Sequence, residues 1–197
     1  RSIGVDLSPE ALSVVTPPTV LASAGALPFP DRSADLVVMA DVLEHLPDAV
    51  YARALSEAAR VAQRFVLLNA PDREDLEAAQ TCCPACSRRF HPYWHLRSLS
   101  AESLAGSFPG FRTVRRIWTG GPSERSLARL RRLQRRLGAW PRLREAVCPA
   151  CAKAFSDPPR GGWAGRSLQA ALAAWDALRK ASGVRDAEFA LLLERTP

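Results

Sequence analysis

Two short cysteine-rich segments have the residue spacing with the most specific chemistry in this sequence. CPACSRRF (83–90) recurs as CPACAKAF (148–155), so each copy holds a C-x-x-C pair followed by a phenylalanine. Cysteine pairs at this spacing are typical zinc ligands, and four thiolates close a tetrahedral site with no open position. We therefore expect one structural Zn²⁺. The predicted ligands are Cys83, Cys86, Cys148 and Cys151.

The cysteine count also bears on redox chemistry. The chain has five cysteines, an odd number, so a disulfide framework is a weaker interpretation than a metal site. A redox-active pair or free thiols are the remaining alternatives for the C-x-x-C units. The fifth cysteine, Cys82, is the spare one in the zinc interpretation.

Acidic and imidazole side chains form a second cluster, in which Asp41, Glu44 and His45 make a D-x-x-E-H motif. Three such groups within five residues could meet around one divalent cation. The alternative, which we favour, is that Glu44 and His45 only hold the loop by hydrogen bonds, since the sequence has no second cluster of acids. A third polar segment is HPYWH (91–95). Its aromatic residues Tyr93 and Trp94 either line a substrate pocket or only pack against the rest of the protein.

The elements that position these residues alternate between strands and helices over the first 70 residues. Strands are predicted at 2–7, 19–24, 34–40 and 64–70, with the third continuous enough to be buried on both faces. Ser8 and Asp48 are predicted helix caps. This series predicts a parallel sheet with helices on its faces.

The second half of the chain is less regular. A helix follows Ser100, a strand covers 111–118, a helix covers 167–183 and a last strand covers 187–195. Residues 123–138 form a predicted amphipathic helix with arginines outside a leucine stripe. The stripe consists of Leu127, Leu130, Leu133 and Leu137.

Three segments together resemble a known family. GVDLSPEAL, then ALPFPDRSADLVVMADVLEHLPD, then RFVLLNAPDRE are similar, in that order, to the second to fifth strand segments of class I S-adenosylmethionine-dependent methyltransferases of the type 11 kind. The resemblance is close over about the first 75 residues and looser over 95–118 and 187–195. It implies an α/β, Rossmann-like, seven-stranded and mostly parallel sheet, with S-adenosylmethionine and the methyl acceptor at the carboxyl edge of the strands.

The resemblance also assigns roles to individual residues. Asp6 would accept hydrogen bonds from both ribose hydroxyls, with helix capping as its alternative role, and Leu7 would lie against the adenine. Ser23 stands where the family usually has an acid for the adenine amino group, so recognition there would rest on the backbone of Ala24. Asp41 would lie beside the sulfonium. The predicted cofactor-binding residues are Asp6, Leu7, Ser23, Ala24, Asp41 and Val42.

Methyl transfer requires alignment of the acceptor and, for a hydroxyl, removal of its proton. Asp41 and His45 are the predicted catalytic residues, and His91 and His95 are further candidate bases. The acceptor is expected to be a small molecule, methylated on oxygen or nitrogen.

The chain starts at the family's second strand. We therefore expect an N-terminally truncated sequence in which the first strand and its glycine-rich loop are missing, and we expect the chain as printed to bind the cofactor weakly. The missing strand would lie between those at 2–7 and 34–40. We expect a single domain over 1–197, with core segments 1–75, 95–120 and 184–197 and zinc-stapled helical insertion elements at 80–94 and 121–183.

Charge leaves two further function classes open. The net charge is +7, and residues 112–144 contain eleven arginines and one acid, Glu124. A nucleic-acid (RNA) methyltransferase or zinc-bearing RNA-binding module is the first alternative, although aromatic platforms among these arginines are lacking. The second alternative is a non-catalytic remnant of a methyltransferase.

The sequence also bears on membranes. The arginines could contact anionic lipid head groups in a peripheral interaction. No apolar run reaches the roughly 18 residues of a membrane span. The start RSIGVDLS lacks the basic and apolar segments of a signal peptide, so the expected localisation is cytoplasmic.

Overall fold

The computed structural model describes residues 1–16, 18–123, 125–140, 143, 145–159 and 161–197. Within these ranges ten strands alternate with five α-helices and one 3₁₀ turn, which is the order of an α/β fold. The strands are β1 Gly4–Asp6, β2 Thr19–Leu21, β3 Ala34–Ala40, β4 Ala62–Pro71, β5 Thr81–Cys82, β6 Arg89–Phe90, β7 Phe111–Thr119, β8 Ala146–Val147, β9 Ala154–Phe155 and β10 Glu188–Arg195.

The helices lie close to their predicted positions. The described α-helices are α1 Pro9–Ser13, α2 Asp48–Val61, α3 Ala101–Gly106, α4 Ala128–Arg136 and α5 Trp163–Ala181, and the 3₁₀ turn is Leu43–His45. Ser8 caps α1 as predicted, because its side chain accepts a hydrogen bond from the Ala11 N–H. The predicted cap Asp48 lies instead in the first turn of α2, after the N-cap Pro47, where its negative charge favours the helix dipole.

The strands form two parallel pairings in the first part of the chain. β1 pairs with β2 with Val5 opposite Val20, and β3 pairs with β4 with Val38 opposite Leu67. Helix α2 connects β3 to β4 and completes a βαβ unit, the connection that parallel strands require. The larger sheet has the order β3-β4-β10-β7. The described strands therefore form one four-stranded sheet and three two-stranded sheets. This confirms the predicted α/β class, although the seven strands that the resemblance implied do not form one sheet among the described residues.

The chain divides into two compact units. Unit 1 contains Arg1–Asn69, Ala101–Arg116 and Ala190–Pro197, and unit 2 contains Ala70–Ser100 and Ile117–Phe189. The core of unit 1 comes from α2 and the strands next to it in the sequence and the sheet. Its buried side chains include Ala54, Leu55, Ala58, Val61, Val66, Leu68, Leu191 and Leu193.

Two expectations about burial are wrong. β3 was predicted to be buried on both faces, but Leu36 and Val38, which lie two residues apart and so share one face, are 44% and 54% exposed. This face of β3 is therefore not covered. In α4 the leucine stripe faces solvent, whereas Arg131 and Arg135 are buried. Part of the predicted helix 123–138, at Glu124, lies outside the described residues.

No helix among the described residues is long and apolar enough to cross a membrane.

Candidate functional site

Four of the residues predicted to bind the cofactor lie at or just after the ends of the two strands of the small sheet. Asp6 is the last residue of β1, and its Oδ1 accepts a hydrogen bond of 2.8 Å from the Ser8 N–H. Ser8 itself supplies the cap of α1, so the structure assigns the capping role to Ser8. Leu7 is 68% exposed, which leaves a large apolar surface beside the Asp6 carboxylate. An exposed acid next to an exposed apolar side chain can receive a ribose with its attached base.

The second strand of this sheet leads into a tight turn. The Ser23 Oγ accepts a hydrogen bond of 3.2 Å from the Gly25 N–H, so the hydroxyl stabilises the turn. The chain is fixed beside β1 by a hydrogen bond of 3.0 Å from the Ala22 N–H to the carbonyl of Asp6. Ser23 and Ala24 are half-buried. Their backbone thus lies next to the end of β1, where the sequence predicted an adenine contact.

Asp41 lies directly after β3 in an unusual backbone conformation. Its φ of 52° is in the left-handed region, which costs a residue with a Cβ roughly 1–2 kcal/mol and is tolerated best by Asn and Asp. The Asp41 N–H donates to the carbonyl of Asn69, near the end of β4, at 3.1 Å. This hydrogen bond continues the pairing of the two strands and holds the exposed Asp41 at their carboxyl edge. Strained residues of this kind occur often at binding and catalytic sites.

The D-x-x-E-H motif does not assemble as one set of ligands. Glu44 and His45 lie on the 3₁₀ turn that Val42 caps, and Glu44 is buried while Asp41 is exposed. Among the described residues, Asp41 does not join Glu44 and His45 in a group of donor atoms close enough to share one ion. Asp41, Glu44 and His45 therefore do not form a three-ligand set in this arrangement.

The four predicted zinc ligands do come together. The Sγ atoms of Cys83 and Cys151 are 3.7 Å apart, and those of Cys86 and Cys148 are 3.6 Å apart. All four sulfur atoms lie within 4.8 Å of one another. A tetrahedral zinc with Zn–S bonds of about 2.3 Å needs sulfur atoms about 3.8 Å apart. The geometry therefore matches a four-thiolate zinc site.

Each C-x-x-C pair lies on a short antiparallel hairpin, and the two hairpins repeat the same backbone contacts. The Cys83 N–H donates to the Arg88 carbonyl at 2.9 Å, and the Cys148 N–H donates to the Lys153 carbonyl at 3.0 Å. Phe90 and Phe155 end the hairpins and meet edge to face with their ring centres 6.1 Å apart. Buried Cys83, Cys148, Phe90, Ala146 and Phe155 form a small core of their own. The repeat CPACxxxF thus encodes two copies of one structural element.

Electrostatics in this cluster favour a cation. For Cys148, burial acts to raise the thiol pKa, but hydrogen bonds from the backbone N–H groups of Ala150 and Cys151 and from neighbouring thiols lower it to about 7. For Cys151, the Lys153 N–H acts to lower the pKa, but the Cys86 thiol and burial raise it to about 12. Sulfur atoms this close cannot all ionise unless a positive ion lies among them.

Cys82 is not part of this cluster. It is buried, and its Sγ lies 3.8 Å from the carbonyl oxygen of Cys83 and 3.7 Å from that of Ser87. Burial raises the pKa of its thiol. The assignment of Cys82 as the spare cysteine agrees with this position.

Sequence reasoning missed Glu74, which lies three residues after β4. Its Oε1 lies 3.0 Å from His91 Nε2, and its Oε2 lies 2.5 Å from His95 Nδ1. Burial acts to raise the pKa of Glu74, but the hydrogen bonds from both histidines lower it to about 2. The two imidazole rings stack with their centres 4.2 Å apart. The signal in the sequence was the i, i+4 spacing of His91 and His95, but nothing in it identified the acid between them.

The hydrogen bonds of His91 decide how this cluster works. Its Nδ1 accepts the backbone N–H of Tyr93 at 3.3 Å and that of His95 at 3.2 Å. The proton of the neutral ring is therefore on Nε2, which donates it to Glu74. The donor atoms of Glu74, His91 and His95 are close enough to share an ion. A metal ion on His91 Nε2 would, however, have to displace the proton that this atom donates to Glu74. We therefore interpret the three residues as a hydrogen-bonded structural cluster.

The aromatic residues of HPYWH are on the surface. Tyr93 and Trp94 are exposed, and the Trp94 indole N–H donates to the carbonyl of Val147 at 3.1 Å. Trp94 therefore connects the HPYWH segment to β8 of the second cysteine hairpin.

Several arginines between 112 and 144 form ion pairs within their own unit. In unit 2, Arg125 pairs with Asp72 at 2.9 Å and Arg131 with Asp176 at 2.5 Å. In unit 1, Arg112 pairs with Glu194 at 2.5 Å. Arginines neutralised in this way contribute little to a positive surface, so the charge visible in the sequence overstates the charge available to a nucleic acid.

Comparison with known proteins gives the same fold. Residues 1–65 match the family model described as a methyltransferase domain. A search of curated proteins finds no match. Among solved structures, a SAM-dependent methyltransferase from Archaeoglobus fulgidus is 14% identical with a TM-score of 0.54, the match covering 98% of this chain and 75% of that one.

Two further structures show the breadth of this likeness. A putative methyltransferase from Bacillus halodurans C-125 is 14% identical with a TM-score of 0.54, covering 99% of this chain and 82% of that one. The [4+2]-cyclase SpnF is 18% identical with a TM-score of 0.50, covering 99% of this chain and 66% of that one. At such identities the likeness establishes the fold alone, and a cyclase among the matches means that the fold does not fix the reaction.

Proposed function

We propose that this protein is an S-adenosylmethionine-dependent methyltransferase that transfers the methyl group of its cofactor to an oxygen or nitrogen atom of a small-molecule acceptor. The proposal is supported by the positions of Asp6 at the end of β1 and of Asp41 directly after β3, since each strand belongs to a parallel pair and open α/β sheets bind their ligands at the carboxyl ends of such strands. The ion pairs of Arg112, Arg125 and Arg131 argue against the RNA alternative, because binding to a nucleic acid backbone requires several cations free to contact phosphates.

In this proposal the residues at the end of the small sheet hold the cofactor. The Asp6 carboxylate accepts the ribose hydroxyls while it keeps its hydrogen bond from Ser8. Leu7 covers one face of the adenine, and the backbone at Ser23 and Ala24 meets its edge. Val42, which follows Asp41, is the last of the proposed cofactor-binding residues.

Asp41 and His45 are the proposed catalytic residues. The methyl group of a sulfonium is already activated, so the protein contributes chiefly by aligning the acceptor with it. The backbone of Asp41 is held at the end of β3 by its hydrogen bond to Asn69, and in this proposal its carboxylate accepts a hydrogen bond from the acceptor O–H or N–H. In this proposal His45, four residues later, takes the proton that the acceptor loses.

We also propose that the four-cysteine cluster binds one structural Zn²⁺. The support is the near-tetrahedral sulfur spacing together with the small core around Phe90 and Phe155. Four thiolates leave no position for a substrate, so the ion would serve folding and would take no part in methyl transfer. The zinc would tie β5 and β6 to β8 and β9 within unit 2.

Label transfer distinguishes the two acceptor classes. The protein is incubated with S-adenosylmethionine carrying a tritiated methyl group and with either the small-molecule fraction or the RNA of the same cell extract. We expect label in the small-molecule fraction only, and loss of that label in Asp6→Asn, which keeps the side-chain shape but removes the charge. Label in RNA alone would contradict the proposal.

A further inference from the structure

Helix α4 has its faces reversed relative to an ordinary surface helix. Its leucine stripe is exposed, with fractions of 42% for Leu127, 41% for Leu130, 45% for Leu133 and 40% for Leu137. The polar residues on the other side are buried, including Arg131 and Gln134 at 4% and 3%. A surface helix normally packs its apolar stripe inward. The exposed leucines therefore form an apolar surface to which a binding partner could dock.

The buried face is fixed by specific polar contacts within unit 2. The Arg131 guanidinium pairs with Asp176 of α5 at 2.5 Å and donates to the carbonyl of Ser126 at 3.0 Å. Arg135 lies over the ring of Trp140 at 5.9 Å. Rotating α4 to bury its leucines would expose these partners and break a half-buried ion pair, so the leucines are held outward.

Exposed arginines lie beside the exposed leucines. With about 100° per residue, Arg129 and Arg136 fall on one row of the helix and Leu130, Leu133 and Leu137 fall on the next. Arg129 and Arg136 are exposed. An apolar row flanked by arginines is the pattern of helices that lie in a membrane interface.

An exposed tryptophan extends this surface. Trp175 of α5 is 43% exposed, and its indole N–H donates to the Ser126 hydroxyl at 3.3 Å. Ser126 directly precedes Leu127, so the ring lies next to the start of the leucine stripe. Tryptophan is enriched at membrane interfaces, where its ring meets both apolar and polar surroundings.

We propose that the leucine stripe of α4, with Arg129, Arg136 and Trp175, docks reversibly on an anionic lipid surface. The leucines enter the interface while the two arginines contact phosphate groups of the lipid heads. This surface is independent of the proposed acceptor and of the zinc site. The proposed attachment is peripheral, since the leucines of α4 enter only the interface of the lipid surface.

The test is co-sedimentation of the full chain with two kinds of vesicle, one of phosphatidylcholine alone and one of phosphatidylcholine with phosphatidylglycerol. We expect binding to the anionic vesicles only, weakening as salt is raised. The double variant Arg129→Gln with Arg136→Gln should bind roughly thirty-fold more weakly, from the usual contribution of a basic residue near an anionic surface. Leu130→Ser with Leu133→Ser should abolish binding.

Val14→Ser is the matched control, since Val14 is 84% exposed but lies in unit 1, outside the stripe. It should bind anionic vesicles like the parent chain. Circular dichroism checks that every variant is folded. Equal binding to neutral vesicles, or no binding to either, would overturn the proposal. Dimers in light scattering that disappear in the leucine variant, without vesicle binding, would assign the stripe to a second copy of the chain.

Discussion

The Sγ atoms of Cys83 and Cys151 lie 3.7 Å apart although 68 residues separate them in the chain. The hairpins that carry them are too short to be stable alone, because each has only two residues per strand. Contact between the hairpins therefore has to be stabilised by the phenylalanine core, by a metal ion, or by both. This dependence makes the cluster the best place to test how unit 2 folds.

Elemental analysis should give one zinc per chain, and a chelator should lower the melting temperature. Cys148→Ser should release the metal, since it removes one of four thiolates. Cys82→Ser is the matched control, because Cys82 is a buried neighbour outside the cluster, and it should retain the metal. A purified protein without zinc and with four free reactive thiols would rule out the metal site.

Asp6→Ala should weaken the binding of S-adenosylmethionine by about 1.5–3 kcal/mol, the usual contribution of hydrogen bonds to a charged group. Calorimetric titration measures this change. Ser8→Ala is the comparison, because it removes the cap of α1 but leaves the carboxylate in place. An unchanged dissociation constant in Asp6→Ala would leave Asp6 only its local hydrogen bond to the Ser8 N–H.

Backbone strain and side-chain function can be separated at Asp41. Asp41→Ala should destabilise the fold by about 1 kcal/mol relative to Asp41→Gly, because glycine alone adopts a positive φ without a steric penalty. Both variants should lose methyl transfer if the carboxylate acts on the acceptor. Thermal unfolding measures the first effect and label transfer the second. A fully active Asp41→Gly enzyme would show that only the backbone of Asp41 matters.

Glu74 should make the free energy of unfolding depend on pH. Its folded pKa of about 2 lies below the ordinary value of 4.5, so the unfolded chain binds the proton more tightly. The stabilisation is complete above pH 4.5 and is lost as the pH falls toward 2. After a discount for partial exposure it amounts to about 2 kcal/mol.

Urea unfolding of the parent chain and of Glu74→Gln from pH 6 to pH 3 measures this effect. The difference between them should shrink as the pH falls, because protonation of Glu74 removes in the parent what the substitution removes at every pH. A constant difference across the range would show that the carboxylate charge is not what stabilises the segment.

Much of unit 1 could be predicted from local pattern. Ser8-Pro9 set the start of α1, and the apolar run 34–40 gave β3, because caps and strand periodicity depend on neighbours in the sequence. The duplicated C-x-x-C spacing likewise predicted which four cysteines would meet, since two similar hairpins present their ligands in the same way.

Tertiary structure alone decided the rest. The sequence could not identify Glu74 as the acid between His91 and His95, because their contact depends on how a loop returns 17 and 21 residues later. Nor could it orient α4: the leucine stripe predicts two faces, but which face packs depends on partners such as Asp176, 45 residues away. Periodicity defines the faces of an element, whereas their burial is set by long-range contacts that fold the chain as a whole.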